Sequence, residues 1–268
     1  MIGSNSQIVH LYSRNRMFSV SLPQENHHVI TGVKRGSFED WFTPAFWRVQ
    51  FELQVREGRY AAHALGRNLN EEIAACLLGG YGIPAELGLL AFRRLRDRNL
   101  LDGAASSDAM EAALSEPFSI AERERRYRFP RQKAAYLSNA LMNVAKAVVP
   151  RDALKLRQIL LELPGIGPKT ASWIVRNYCN SSNVAIIDIH ILRAGQLMGL
   201  FDPADDPAKK YFELETRFLA FCSALGAPAC ALDALIWDYM RRIGPTAFRR
   251  PNRSARRIPH AYKAELTL

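Results

Sequence analysis

Apolar positions follow two rhythms along this chain. Before residue 43 they come in short runs rich in β-branched and aromatic side chains, broken by polar and glycine punctuation: Ile8-Val9-His10-Leu11-Tyr12, Met17-Phe18-Ser19-Val20-Ser21-Leu22 and His28-Val29-Ile30-Thr31-Gly32-Val33. Such runs predict a small antiparallel sheet. From Thr43 the spacing turns helical. Thr43-Pro44 reads as a cap with proline at the first helical position. Phe46, Trp47, Val49, Phe51 and Leu53 load the helix that follows, although Val49-Phe51-Leu53 also fits a strand. Residues 70–79 predict a capped helix ending at Gly79-Gly80, and Pro84 to Arg98 a second. Asn99 to Asp108 reads as a loop, Ser119 to Arg128 as a charged helix, and Gln132 to Val148 as a long striped helix stopped by Pro150. Asp152 to Glu162 leads into a glycine hairpin, and helices follow over roughly 169–178, 188–199, 207–224 and 229–242. The expected fold is mainly α: two helical lobes with a groove between them, and a small N-terminal antiparallel sheet. The expected organisation is a β-rich segment over 1–42, a helical domain over 43–245 and a basic tail over 246–268.

With 268 residues, 48% of them hydrophobic, the chain can bury a sizeable core. Charge is the unusual property: 36 Lys and Arg against 26 Asp and Glu give +10. A basic protein concentrates around polyanions, so nucleic acid is the first partner to consider and an anionic membrane the second. The membrane reading is the weaker one, because no amphipathic basic helix stands apart from the core and no apolar run approaches the ~18 residues of a span. The N-terminus lacks the long apolar stretch of a signal peptide. The four cysteines, Cys76, Cys179, Cys222 and Cys230, contain no CxxC pair. They fit buried thiols in a reducing compartment better than a zinc or iron–sulfur framework. A cytoplasmic, nucleoid-associated protein is expected, or a nuclear one in a eukaryote, with no metal site. The tail carries Arg249, Arg250, Arg253, Arg256, Arg257 and Lys263, and is expected to lie along the surface near the polyanion.

The chemistry concentrates in Leu163-Pro164-Gly165-Ile166-Gly167-Pro168-Lys169-Thr170-Ala171 and in Ile187-Asp188-Ile189-His190, whose aspartate lies nineteen positions past the lysine. Gly165 and Gly167 permit the backbone angles of a tight hairpin. Ile166 between them would pack inward and hold the hairpin closed. The first amides of the helix that starts at Lys169 have no intrahelical acceptor, and with the hairpin amides they make an anion site suited to a DNA phosphate. Hairpin carbonyls could hold a monovalent cation; no other cofactor is expected.

These segments resemble the helix-hairpin-helix (HhH-GPD) superfamily of DNA glycosylases, from about Thr43 to Arg242 and most specifically over 161–195. The lysine-to-aspartate spacing and the missing cysteine cluster look most like the 8-oxoguanine DNA glycosylase branch. That resemblance implies a DNA glycosylase with associated AP lyase activity, acting as a monomer on double-stranded DNA that contains a damaged base such as 8-oxoguanine. Lys169 would attack C1′ of the sugar, displace the base and form a Schiff base that permits β-elimination. An amine attacks only when neutral, whereas a lysine in water keeps its proton up to about pH 10.4, so desolvation or positive neighbours must help remove it. Asp188 would stabilise the positive charge that builds on the deoxyribose. A phosphate-contacting lysine and a merely helix-capping aspartate are the alternatives. The resemblance further gives His190 a phosphate beside the extruded nucleotide, puts Lys133 on a helix near the DNA, and lets Gly36 offer a backbone carbonyl to the base.

An extruded base needs a pocket. Trp173 lies one helical turn from Lys169 and shares its face. By resemblance the helix carrying Asp233 and Trp237 lines the pocket, although the family typically has a glutamine and a phenylalanine there. A carboxylate at 233 could accept from N1–H and N2–H of a guanine, which favours a guanine lesion over an oxidised pyrimidine. Core packing is the alternative for both tryptophans. Gly79-Gly80-Tyr81-Gly82 places an aromatic at the tip of a turn, where it could wedge into the base step that flipping vacates; the family has an asparagine-rich segment here. Two other readings stay open. One keeps the fold but changes the base to an oxidised pyrimidine or another purine. The other is a non-catalytic helix-hairpin-helix DNA-binding module, which would need neither Asp188 nor a buried amine.

Overall fold

The structure, a computed structural model, describes residues 6–59, 63–80 and 82–244. Tyr81 and the basic tail lie outside the described residues. The chain opens with two separate hairpins, β1 (Gln7–Ser13) with β2 (Arg16–Leu22) and β3 (His28–Ile30) with β4 (Val33–Lys34), where the sequence predicts one small sheet. The break between them has a cause. Pro23 ends β2 and has no N–H to donate; its carbonyl, like that of Gly36, accepts from the Gln7 side chain at 3.0 Å. Val9, Val20 and Leu22 bury one face of the first hairpin against Ala45 and Val49.

Those two residues belong to α1 (Pro44–Arg56), which is capped as expected: the Thr43 hydroxyl accepts from the Phe46 amide at 3.1 Å. The helical reading of Val49-Phe51-Leu53 therefore holds over the strand. Two helical cores follow. The first gathers α2 (Leu69–Leu78), α3 (Ala85–Asp97), α4 (Ser107–Ser115), α5 (Pro130–Lys146), α6 (Ala153–Leu161) and α7 (Pro168–Tyr178) around Phe92, Leu114, Leu137 and Ile174. The second gathers α1 with α8 (Ile189–Leu197), α9 (Pro207–Leu225) and α10 (Ala229–Ile243) around Trp47, Phe218, Phe221 and Ile236. Among the described residues no single helix is long and apolar enough to cross a membrane.

One segment corrects the sequence reading. Ser119 to Arg128, expected as a charged helix, is instead mostly a hairpin of β5 (Phe118–Ile120) and β6 (Arg123–Arg125) turning at Ala121 and Glu122. The physical reason is the lack of an apolar stripe. Only Phe118 and Tyr127 are buried there, and they do not share a helical face. Arg94 anchors the hairpin, its guanidinium 3.5 Å from the Phe118 ring centre and donating to the carbonyls of Ala113, Glu116 and Pro117 at 2.7–3.0 Å. The short helix α4, for which no prediction was made, packs on α5 through Met110, Ala113 and Leu114.

Candidate active site

The predicted helix-hairpin-helix is α6, the turn 162–167 and α7. Asp152 caps α6 through the Lys155 amide at 2.8 Å, and Ile166 is 4% exposed, packed into the first core. Gly165 stands at φ +82, and a Cβ there would lie 2.1 Å from the Tyr136 ring; only glycine lets α5 come this close. Gly167 has open space where a Cβ would point. It caps α7, with Pro168 as the first helical residue and Lys169 as the second. The amides of Gly165, Gly167, Lys169 and Thr170 donate to no described residue. They form a row of donors without described acceptors at the positive end of a helix.

Behind this row a cleft of about 920 Å³ opens between the two helical cores. Binding sites for drug-sized ligands run from about 300 to 1,000 Å³, so the cleft has room for a base and its sugar. Lys169 enters from the first core and Asp188 from the second; both line it, as do Trp173, Trp237 and His190. A smaller, more open hollow beside the N-terminal hairpins, lined by Ser21, Pro23, Gln24 and His27, has no comparable pair of ionisable groups.

Asp188 caps α8: its Oδ1 accepts from the amides of His190 and Ile191 at 2.8 and 3.0 Å. Its Oδ2 accepts from no described residue. Capping and an outward-facing carboxylate are thus combined, one oxygen for each. The Lys169 ammonium pairs with no described carboxylate, and it passes close to the turn between α2 and α3, 3.9 Å from where a Gly80 Cβ would stand. The Trp173 ring lies against Gly79, where a Cβ would be 3.3 Å from it. Trp237 has the Arg241 guanidinium 4.9 Å from its ring centre and the His190 ring edge-on at 6.2 Å. The His190 Nδ1 is buried without a partner among the described residues.

Three residues assigned to the site from sequence sit elsewhere. Asp233 is 2% exposed and does not line the cleft. Its Oδ2 accepts from the Ile186 amide at 3.1 Å, and the Arg176 Nε lies 3.8 Å away. Burial raises its carboxyl to about 6, with the Arg176 charge opposing. Gly36 also lies off the cleft, its carbonyl taken by Gln7 and its Cβ position 2.8 Å from Thr43. The Lys133 amine turns inward, donating to the Leu77 carbonyl at 2.7 Å in the last turn of α2, where a cation suits the helix dipole. Burial, and after it the charge of Lys169, lower its pKa. Tyr81 falls outside the described residues.

Other residues of the site went unnoticed in the sequence. Arg241 reaches the cleft from the last turn of α10, and Gly88 lets α3 approach Gly79, its Cβ position being 3.1 Å from the Gly79 Cα. Tyr211 lines the cleft as well, and the buried Glu215 stands behind it. A signal for Glu215 existed: it lies on the same face of α9 as Tyr211, Leu214 and Phe218, where a carboxylate must find partners.

Residues 55–227 match the sequence model of a family described as 8-oxoguanine DNA glycosylase, well over half of the chain. The chain belongs to that family. Among relatives, the 8-oxoguanine DNA glycosylase/AP lyase of Metallosphaera sedula is 39% identical over 127 residues, covering 46% of this chain and 62% of that protein. The enzyme of the same name from Fusobacterium nucleatum is 32% identical over 91 residues, 33% of this chain and 42% of that one. The match therefore spans less than two thirds of either relative's length. Among solved structures, the 8-oxoguanine DNA glycosylase of Methanocaldococcus jannaschii shares the fold at a TM-score of 0.57 and 24% identity, covering 73% of this chain and 93% of that one. The glycosylase/lyase from the same organism, in complex with a 15mer DNA containing 8-oxoguanine, does so at 0.57 and 22%, covering 74% and 98%. The family match begins inside α1 and ends before α10, so Trp237 and Arg241 lie beyond it.

Proposed function

We propose that this protein is a bifunctional DNA glycosylase and AP lyase that excises oxidised guanine, 8-oxoguanine in particular, from double-stranded DNA. The observation that carries this reading is the meeting of Lys169 and Asp188 in one cleft, beside a row of hairpin amides with no acceptor among the described residues. The amides hold a phosphate of the damaged strand, which fixes the register of the duplex. The flipped nucleotide enters between the helical cores, with Trp173 and Trp237 as stacking faces. Neutral Lys169 attacks C1′; the C1′–N bond breaks and its electron pair leaves on the base. Asp188 Oδ2 faces the charge that develops on the sugar in the transition state. The attached amine passes a proton to the departing base, the C1′–O4′ bond opens with O4′ taking a proton from solvent, and the resulting Schiff base acidifies C2′–H. Loss of that proton expels the 3′ phosphate and nicks the strand.

The choice of guanine rests on the names of the relatives, because the residue that argued for guanine in the sequence, Asp233, lies outside the cleft. A single-turnover excision assay on duplexes with one defined lesion each tests the assignment. Release of 8-oxoguanine faster than of an oxidised pyrimidine is expected, with Asp188→Asn slower by two to three orders of magnitude. Preferential release of the pyrimidine would move the substrate, and a normal rate in Asp188→Asn would remove its role.

A further inference from the structure

Residues 184–188 belong to no helix or strand, and among them Val184, Ala185 and Ile187 are buried. A buried irregular segment has to satisfy its backbone polar groups without a ladder. Here side chains satisfy four of them. The Ala185 amide donates to Glu215 Oε1 at 3.0 Å. The Tyr211 hydroxyl donates to the Ala185 carbonyl at 2.9 Å and accepts from the Ile187 amide at 3.3 Å. The Ile186 amide donates to Asp233 Oδ2 at 3.1 Å. Asp188 follows directly on Ile187.

The same Glu215 carboxylate holds the opposite side of the cleft. Ser172, three residues past Lys169 on α7, donates its hydroxyl to Glu215 Oε1 at 3.1 Å, and Arg157 of α6 donates to Oε2 at 2.5 Å. One buried carboxylate therefore ties the helix that carries Lys169 to the segment that ends in Asp188. A buried ionic network is a weak source of stability compared with apolar packing, yet Glu215 has partners at both oxygens, and a carboxylate satisfied in this way holds its neighbours in one arrangement.

We propose that Tyr211, Glu215 and Asp233 are positioning residues, a clamp that sets the Asp188 carboxylate relative to the Lys169 amine. The proposal rests on the reading that these two form the reacting pair. It gives Asp233 a task at a distance from the base, and it explains why Glu215 sits on the apolar face of α9. Small displacements of a reacting group cost rate out of proportion to their effect on the fold.

The test is single-turnover excision of 8-oxoguanine by the full chain, with Tyr211→Phe as the main variant. It deletes one hydroxyl and keeps the ring. The rate should fall 10- to 100-fold, on the order of the loss from misplacing a reacting group, with Kd for an uncleavable lesion duplex unchanged. In the Asp188→Asn background the same substitution should cost nothing more. An unchanged rate, or an equal loss in both backgrounds, overturns the clamp. If Tyr211→Phe does not fold, Glu215→Gln and Glu215→Ala take its place. The glutamine keeps an oxygen for the Ala185 amide and should retain more rate than the alanine; equal rates contradict the proposal. Amide hydrogen exchange at Ile186, Ile187 and Asp188 separates failure of the clamp from failure of the enzyme reading. A wild type that releases no base overturns that reading. Exchange that does not quicken in the chosen variant overturns the clamp whatever the activity.

Discussion

Asp233 shows how one side chain can be placed on the right helix yet given the wrong neighbour. The Asp233-to-Trp237 spacing correctly puts both on α10. It does not reveal that Trp237 faces the cleft while Asp233 faces the Ile186 amide, because that depends on where residues 184–188 cross the helix. Lys169 and Asp188 were easier to place: each opens a helix behind a recognisable cap or proline, and a helix start is a local property of the sequence. The environment of Asp233 has a measurable consequence. Burial raises its folded pKa to about 6 from 3.8, so the folded chain binds this proton more tightly than the unfolded chain. The Asp233 contribution to stability is therefore greatest below about pH 4, falls as pH rises through 6, and is flat above. The total loss is on the order of 2–3 kcal/mol. Urea denaturation at pH 4, 5 and 7 should show the wild type losing stability relative to Asp233→Asn across that window. A constant difference would mean the carboxyl titrates as it does in water.

At the scale of elements, the helices that bound the site follow from apolar spacing, caps and glycine stops, and α2, α3 and α5 to α10 lie within a few residues of expectation. The β5–β6 hairpin does not, because a run of charges carries no period from which to tell helix from turn. The helix-hairpin-helix allows a sharper test, since its two glycines do different work. Gly165 is needed by the fold: at φ +82, with Tyr136 in the way, alanine should cost about 2 kcal/mol or more through backbone strain and overpacking. Melting should fall by roughly 4–8 °C for a domain of this size. Gly167→Ala meets nothing within 4 Å in the free protein. It should melt like the wild type and bind duplex DNA more weakly, because its methyl would stand where the phosphate approaches. Equal melting of the two variants would contradict the packing described for the hairpin.

At the scale of the molecule, the two cores and the cleft between them correspond to the lobes and groove expected from the sequence, and the net charge of +10 favours a polyanion as partner. Each phosphate neutralised should contribute about −0.9 to the slope of log K against log salt. Binding of an undamaged duplex should therefore weaken steeply between 50 and 200 mM salt, about tenfold or more for a few contacts, and a flat series would count against DNA as the partner. The account as a whole depends on Lys169 being a nucleophile. Borohydride trapping on a duplex with 8-oxoguanine opposite cytosine addresses this directly, because reduction of the Schiff base joins enzyme to DNA irreversibly. The wild type should give a covalent adduct, and Lys169→Gln should give none while still binding the duplex. An adduct of equal yield in both, or no adduct from a wild type that binds, would contradict the account and leave the lysine as a phosphate contact.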